Sequence, residues 1–440
     1  MADRFDWVLR NAAVATPEGA VSADIGVRGG TVAAIGSIPP GSSPLEDNLT
    51  GLTVLPGVID TQVHFREPGA EHKEDLASGT AAAAMGGVTA ICEMPNTKPA
   101  TTSPEALADK VARATGRAWV DFAFFLGATA ENAGDLGAWE NAPGCCGIKV
   151  FMGSSTGTLL VDDEAALRRI LKNGCRRVAV HAEDEERLKE RFHLVEDGAP
   201  PAMHPEWRDE ETAMRAVARL IALARRTGRA VHVLHVTSAG EMEMLRGRPA
   251  NMTVEVTPQH LTLAAPEAYE RLGTCAQMNP PIRDARHRAA LWKALADGVV
   301  SCIGSDHAPH TREEKAQPYP KSPSGMPGVQ TLVPVMLDHV AAGRLSLADF
   351  VRLTSTAPAA IFGMAGRGVV AVGYRADFTI VDLKAKRTIA NDWIVSKCGW
   401  TPFDGMTVTG WPVMTVVGGR TVMREDSLID PPRGQAIKFL

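Results

Sequence analysis

The chain has 440 residues, of which 45% are hydrophobic and 22% charged, with a formal net charge of −5. That length suits one large barrel or two to three domains rather than a single small core. Acids and bases are mixed without a basic block, which argues against nucleic-acid and anionic-membrane binding, and an anionic substrate would need a local cationic pocket.

The start, MADRFDWVLRNAAV, holds acids and no long apolar stretch, so no signal peptide is read there. Residues 6–54 alternate with Gly-marked turns (DWVLRNAAVAT, ADIGVRGGTVAAIG, GLTVL), which predicts short antiparallel strands, with GSIPPGSSPLED as a loop. The middle of the chain follows a different rhythm. Eight short apolar runs recur: VLPGVIDTQVHF, GVTAICEMPNT, WVDFAFFLGAT, GIKVFM, RVAVHAE, AVHVLHVTS, MTVEVTPQH and VSCIGSDHAPH. Between most of them lie helical stretches such as SPEALADKVARATG and ETAMRAVARLIALARRTG; the third connection is the least helical. Eight βα units in roughly 300 residues predict a closed (β/α)8 TIM barrel. Residues 367–434 return to short strands: RGVVAVGYRADFTIVDL, RTIA and VMTVVGGRTVMRE. The expected α/β organisation is therefore a barrel over residues 55–366 and a small β-sandwich domain built from residues 1–54 and 367–440.

No apolar run approaches the ~18–20 residues needed to span a membrane. Seven cysteines, with no CxxC pair and with Cys145 next to Cys146, read as reduced thiols of a cytoplasmic protein, and no cysteine zinc site is expected.

Barrel enzymes place their chemistry at the C-terminal ends of the strands. Those ends carry Gln62 and His64 on the first run, Lys149 on the fourth, His181 on the fifth, His235 on the sixth and Asp306 on the eighth. A lone strand-end His is ordinarily a hydrogen-bonded core residue. Imidazoles, an amine and a carboxylate converging from five strands suit Zn²⁺ or another first-row divalent ion. His232 lies three residues before His235, so alternation predicts that it faces the other side of its strand, and it is left out. Burial near the barrel axis lowers the pKa of Lys149 and frees a neutral amine, which can capture CO2 as an anionic carbamate; pairing with a nearby Asp is the alternative.

The segments DTQVHFREPG, EMPNT, GIKVFMGSS, VHAE, LHVTS, EVTPQHL, MNPPIR and SDHAPH occur in one order over nearly the whole chain. Together they resemble the cyclic amidases of the amidohydrolase superfamily, namely dihydroorotase, hydantoinase or dihydropyrimidinase, and allantoinase. HFREPG with MPNT and DHAPH looks most like dihydroorotase. The resemblance implies one or two Zn²⁺ per chain. Gln62 and His64 stand where the family has its first two His ligands, Lys149 is the carboxylated bridge, and His181 and His235 hold the second metal. Asp306 is ligand and proton shuttle. Arg66, Asn96 and His310 hold a substrate carboxylate, and Asn279 contacts the ring. Read from the residues alone, Arg66 could instead pair at the surface with Glu67 or Glu71. Asn96 and Asn279 could be turn residues, and His310 a helix cap or a solvated loop His.

The implied reaction interconverts dihydroorotate and N-carbamoyl-L-aspartate, a step of pyrimidine biosynthesis, in a cytoplasmic homo-oligomer, dimer or tetramer, that takes a small-molecule substrate and binds neither nucleic acid nor membrane. Two positions depart from the family. Gln62 offers an amide where imidazole is expected, so the metal nearest the first strand is weak or absent. Gln330, in SGMPGVQT, stands where an acidic residue is expected. The alternatives are a hydantoinase- or allantoinase-like hydrolase of an uncharged cyclic ureide, and a catalytically silent subunit partnering, for instance, a transcarbamoylase.

Overall fold

The structure is a computed structural model that describes residues 4–16, 19–155, 159–196, 198–429 and 431–440. Part of the N-terminal segment read as free of a signal, residues 1–3, lies outside them. The chain opens with β1 (Trp7–Thr16), β2 (Gly19–Arg28) and β3 (Thr31–Gly36), an antiparallel meander. Two short strands, β4 (Glu46–Asn48) and β5 (Thr53–Pro56), pair with β1 in parallel. The predicted loop thus ends early: GSIPPGSSPLED closes in β4, whose EDN has no apolar alternation to announce a strand.

Eight parallel strands follow: β6 (Val58–Val63), β7 (Val88–Glu93), β8 (Asp121–Gly127), β9 (Cys145–Phe151), β10 (Val178–His181), β11 (Val231–Val233), β12 (Met252–Val256) and β13 (Cys302–Ile303). They pair in sequence order, and all eight lie on the runs read from the sequence. Nearly every residue in them is buried, as expected of strands covered on both faces. The two ends of this sheet meet at a parallel bridge between Val63 and His307. The His64 amide donates to the His307 carbonyl (2.7 Å) and the Ser305 amide to Asp60 Oδ1 (2.9 Å) across the same seam. The fold is a TIM-like (β/α)8 barrel.

Cap chemistry sets the helices around it. Ser103 caps helix Pro104–Ala114 through the Ala106 amide. Asp209 caps helix Glu210–Thr227, and Gly228, at φ 70°, ends it in the left-handed region where glycine carries no Cβ penalty. The third connection holds only a 3₁₀ turn, Asn132–Gly134, and the one-turn helix Leu136–Trp139, in line with its weak helical pattern. Helix Ala357–Phe362 closes the N-terminal mouth: Phe362 packs edge-on against Phe125 at 5.8 Å, and the Arg177 Nε, just before β10, donates to the Ile361 carbonyl. That end of the barrel interior is thus filled by apolar side chains such as Phe125 and Phe362.

The chain then rejoins the first sheet through β14 (Phe378–Thr388), which pairs with β5, and continues with β15 (Thr407–Val417), β16 (Arg420–Arg424) and β17 (Ser427–Leu428). The outer unit is a nine-stranded sheet from both chain ends, mainly antiparallel, with its own buried cluster including Trp7, Leu9, Ile25, Phe378, Ile380 and Val416. Residues 367–377, read as strand, form no strand. Their arginines are used instead: Arg367 pairs with Asp121 and Asp377, and Arg375 with both of the same acids, fastening this segment to β8. All seven cysteines are free, and five are buried.

Candidate active site

At the C-terminal rim, Gln62, His64, Lys149, His181, His235 and Asp306 line one cavity, joined by Phe151, Ser155, Asn279 and Ser324. Each of the six is at least nine-tenths buried. Local geometry aims them. The register of β6 against β7 shifts between Asp60 and Val63, and adjacent Thr61 and Gln62 both reach the interior, Thr61 to Glu255 and Gln62 to the cavity. Among the described residues, six non-glycine residues have positive φ, and three of them are Arg66 (65°), His235 (36°) and Asp306 (47°). Backbone strain of this kind costs about 1–3 kcal/mol per residue and collects where a side chain must be aimed.

Gln62 Nε2 donates to Asp306 Oδ1 at 2.9 Å, and His64 Nε2 lies 3.2 Å from the same oxygen. His64 Nδ1 faces Asn96 Oδ1 at 2.8 Å. His181 Nε2 contacts Glu183 Oε2 at 2.9 Å, which places the proton there and leaves the Nδ1 lone pair turned toward His235 Nε2, 3.1 Å away. Burial alone would raise the Glu183 carboxyl, but Arg208 and His181 hold it below the ordinary range. Burial pushes Lys149 down to about 7 and Asp306 up to about 7, opposed in each case by the other's charge. Burial also holds His64, His181 and His235 below the ordinary imidazole value.

Among the described residues, three buried polar atoms here have no hydrogen-bond partner: Lys149 Nζ, His235 Nδ1 and Gln62 Oε1. Lys149 Nζ instead sits 4.3 Å over the Phe151 ring. A buried polar atom without a partner costs about 1–3 kcal/mol. Neutral imidazoles, an amine that gives up its proton near neutral pH and a carboxyl group around one cavity are a donor set that a first-row divalent ion fits. The amide of Gln62 is committed to Asp306, and only its carbonyl side is free to act as a ligand.

Arg66, Asn96 and His310 stand behind this lining, Asn96 against His64, His310 against Ser324, and Arg66 against His310. Arg66 is not a surface ion-pair partner of Glu67 or Glu71: it is buried, its Nε donates to the Pro309 carbonyl (3.2 Å), and its Nη2 lies 3.3 Å from His310 Nε2. Glu67 pairs with Arg117 instead. His310 is buried rather than solvated, with Nε2 3.1 Å from the Ser324 carbonyl and Nδ1 3.2 Å from Lys73 Nζ. Asn279 lies in the cavity wall with Oδ1 3.0 Å from His204 Nε2. Gln330 serves the fold rather than the cavity, its side-chain amide bonding the Trp393 carbonyl and the Val395 amide.

His232 stays outside the cavity lining, as read from the sequence, but the reason for leaving it out fails. His232 faces the barrel interior, not the outer side. Strand pairing stops at Val233, and the positive φ of His235 breaks the alternation on which the exclusion rested. His232 Nε2 lies 3.2 Å from Glu255 Oε2, its Nδ1 2.7 Å from Thr253 Oγ1, and Cys302 Sγ 3.8 Å from both His232 Nε2 and Glu255 Oε2. Thr61 also donates to Glu255. His232, Glu255 and Cys302 have ligand atoms within 4.8 Å of one another, a spacing that hydrogen bonding already accounts for. A Cβ on Gly304 would stand 2.7 Å from both Glu255 Oε2 and Thr61 Oγ1, so only glycine lets the chain leave β13 beside this network. Glu255 is also, after Asp306, one of the two negative charges that hold the Lys149 amine up against burial. Glu255, Glu183 and Arg208 were not singled out from the sequence, although EVTPQH and VHAE contain the two acids.

A family model described as "Amidohydrolase family" matches residues 53–422. The chain is 37% identical over 434 residues to a dihydroorotase of Halobacterium salinarum, covering 96% of this chain and 97% of that protein. It is 34% identical over 429 residues to a dihydroorotase of Methanothermobacter thermautotrophicus, covering 97% and 96%. Among solved structures, an L-hydantoinase (dihydropyrimidinase) from Arthrobacter aurescens superposes with a TM-score of 0.92 at 29% identity, covering 98% of this chain and 99% of the other. A dihydropyrimidinase from Brevibacillus agri gives 0.89 at 29% identity, covering 97% of each chain. Among the described residues, no helix is long and apolar enough to cross a membrane.

Proposed function

We propose, for a chain that belongs to the amidohydrolase family, that it is a cyclic amidohydrolase acting as a dihydroorotase, interconverting L-dihydroorotate and N-carbamoyl-L-aspartate. The observation that carries this reading is the convergence of Lys149, His181, His235 and Asp306 on one buried cavity, with the Lys149 amine unpartnered at its floor. These four residues would hold a divalent ion, Zn²⁺ in our reading, with Lys149 carboxylated and His64 completing a second, weaker position beside Gln62. When bound, such an ion supplies Lewis acidity and lowers the pKa of water.

The chain's own residues supply the rest. Asp306, poised near neutral pH, takes the proton from the attacking water and delivers it to the ring nitrogen as the C–N bond breaks. Glu183 holds the His181 tautomer and is itself held by Arg208 (2.7 Å). Asn96 orients His64 in the same manner. Arg66 and His310 would receive the ring carboxylate through movement of side chains that now contact each other, and Asn279 would meet the ring. The hydantoinase-like alternative draws support from the solved neighbours and from the place of Arg66 behind the cavity wall rather than in it.

We further assign residues 1–54 with 367–440 to the β unit and 55–366 to the barrel, supported by the two separate sheets, and a cytoplasmic homo-oligomer as the working assembly. The test is turnover of dihydroorotate by Zn²⁺-loaded protein. No turnover, with hydrolysis of an uncharged hydantoin under the same conditions, would transfer the assignment to the alternative.

A further inference from the structure

A chain of buried side chains outside the predicted set ends on Asn279. His204 opens the one-turn helix His204–Trp207, in the long connection between β10 and β11, and is fully buried. Its Nε2 lies 3.1 Å from the Met278 carbonyl, 3.0 Å from Asn279 Oδ1 and 3.5 Å from Ser324 Oγ. Its Nδ1 lies 3.2 Å from the hydroxyl of Tyr319, a buried residue on the segment after β13. The tautomer follows from these partners. A carbonyl can only accept, so Nε2 carries the proton and Nδ1 offers the lone pair that accepts the hydrogen bond donated by the Tyr319 hydroxyl. Burial, with the charge of Arg208 behind it, keeps the ring neutral, at about 3. Turning the ring over would set Cε1 against the Met278 carbonyl and Cδ2 against the Tyr319 hydroxyl, so both hydrogen bonds would be lost.

A proton on Nε2 also decides which end of the Asn279 amide faces it. Oδ1 accepts from His204, which leaves the Nδ2 group as the part of Asn279 free to face the cavity that it lines. An amide whose two ends differ only in O and N is a poor selector unless a neighbour fixes it. Here that neighbour is a histidine whose own proton is fixed by a carbonyl on one side and a hydroxyl on the other.

We propose that His204, oriented by Tyr319, is a positioning residue that locks the Asn279 amide with its N–H donors toward the substrate, so that the site selects a ring presenting a carbonyl acceptor at that edge. The proposal rests on the cyclic-amide hydrolase reading, and it holds for dihydroorotate and for uncharged ureides alike.

The experiment uses the full-length, Zn²⁺-loaded protein and steady-state kinetics on dihydroorotate and on hydantoin, with metal per chain measured on each sample. His204→Leu raises KM about tenfold, the loss expected of one misoriented hydrogen-bond donor, with metal content unchanged and a much smaller effect on kcat. His204→Gln, whose amide can donate from the same side, recovers most of that loss. In a double-mutant cycle with Asn279→Ala, the His204→Leu effect on KM disappears, because both changes remove one function. If His204→Leu fails to fold, Tyr319→Phe, which removes one oxygen, carries the same test with a smaller KM effect that also vanishes on Asn279→Ala. KM losses that multiply with Asn279→Ala, or lowered thermal stability with KM unchanged, overturn the proposal. Wild-type protein that neither binds nor turns over any ring amide overturns the hydrolase reading and this proposal with it.

Discussion

Replacing Lys149 with Met should stabilise the metal-free protein while abolishing its metal site. Lys149 is 1% exposed, its amine has no hydrogen-bond partner among the described residues, and it is held at about 7 against an ordinary 10.5, burial being the largest cause. At about 1.4 kcal/mol per pH unit, folding at pH 7 with the unfolded lysine fully protonated costs about 4 kcal/mol. Because the folded pKa is lowered, the unfolded chain binds more protons between pH 7 and 10.5, and stability rises with pH through that window. At pH 9 the same cost is about 2 kcal/mol. Met keeps the apolar stem over Phe151 and removes the amine. Metal-stripped, bicarbonate-free Lys149→Met also loses the attraction by which Lys149 holds the Asp306 carboxyl down, so it should exceed wild type by at most about 4 kcal/mol at pH 7 and by less, at most about 2 kcal/mol, at pH 9, read from urea unfolding with equal m-values. Its metal content after Zn²⁺ loading should fall. An advantage that grows with pH, or a variant less stable than wild type at pH 7, would refute the reasoning that burial of this amine costs more than its neighbouring charges return.

Other substitutions separate the remaining roles. Arg66→Ala should lose about 10–100-fold more kcat/KM on dihydroorotate than on an uncharged hydantoin, and equal losses would favour the ureide alternative. Glu183→Gln leaves Arg208 without its buried partner and frees the His181 ring. Metal affinity should drop about 10–100-fold and stability about 3–5 kcal/mol, and an unchanged metal dissociation constant would count against the triad. Gln62→His restores an imidazole to the first strand and should raise metal per chain by elemental analysis. Unchanged content would mean that Gln62 is not what limits the second position.

The barrel was legible because parallel strands covered on both faces leave short apolar runs, and because Ser103, Asp209 and Gly228 mark helix ends chemically. The cavity was legible for a related reason: polar residues at the ends of those runs stand out against them. What escaped the sequence depended on geometry that no alternation encodes. Positive φ at His235 turns two histidines at odd spacing to one interior. Glu255 and Glu183 are buried by partners far along the chain, and His204 lies in a long connection whose course no local pattern predicts. Residues 367–377 looked like a strand because VVAV is apolar, yet Arg367 and Arg375 draw that segment into ion pairs with Asp121 and Asp377.

One buried cavity holding a divalent ion for ring-amide hydrolysis is the central claim, and one sample tests it. Purified protein, assayed for metal per chain by elemental analysis and for turnover on dihydroorotate, hydantoin and allantoin, should carry at least one divalent ion per chain and hydrolyse dihydroorotate. No bound metal, together with no turnover of any of the three after Zn²⁺ and bicarbonate are supplied, would contradict it.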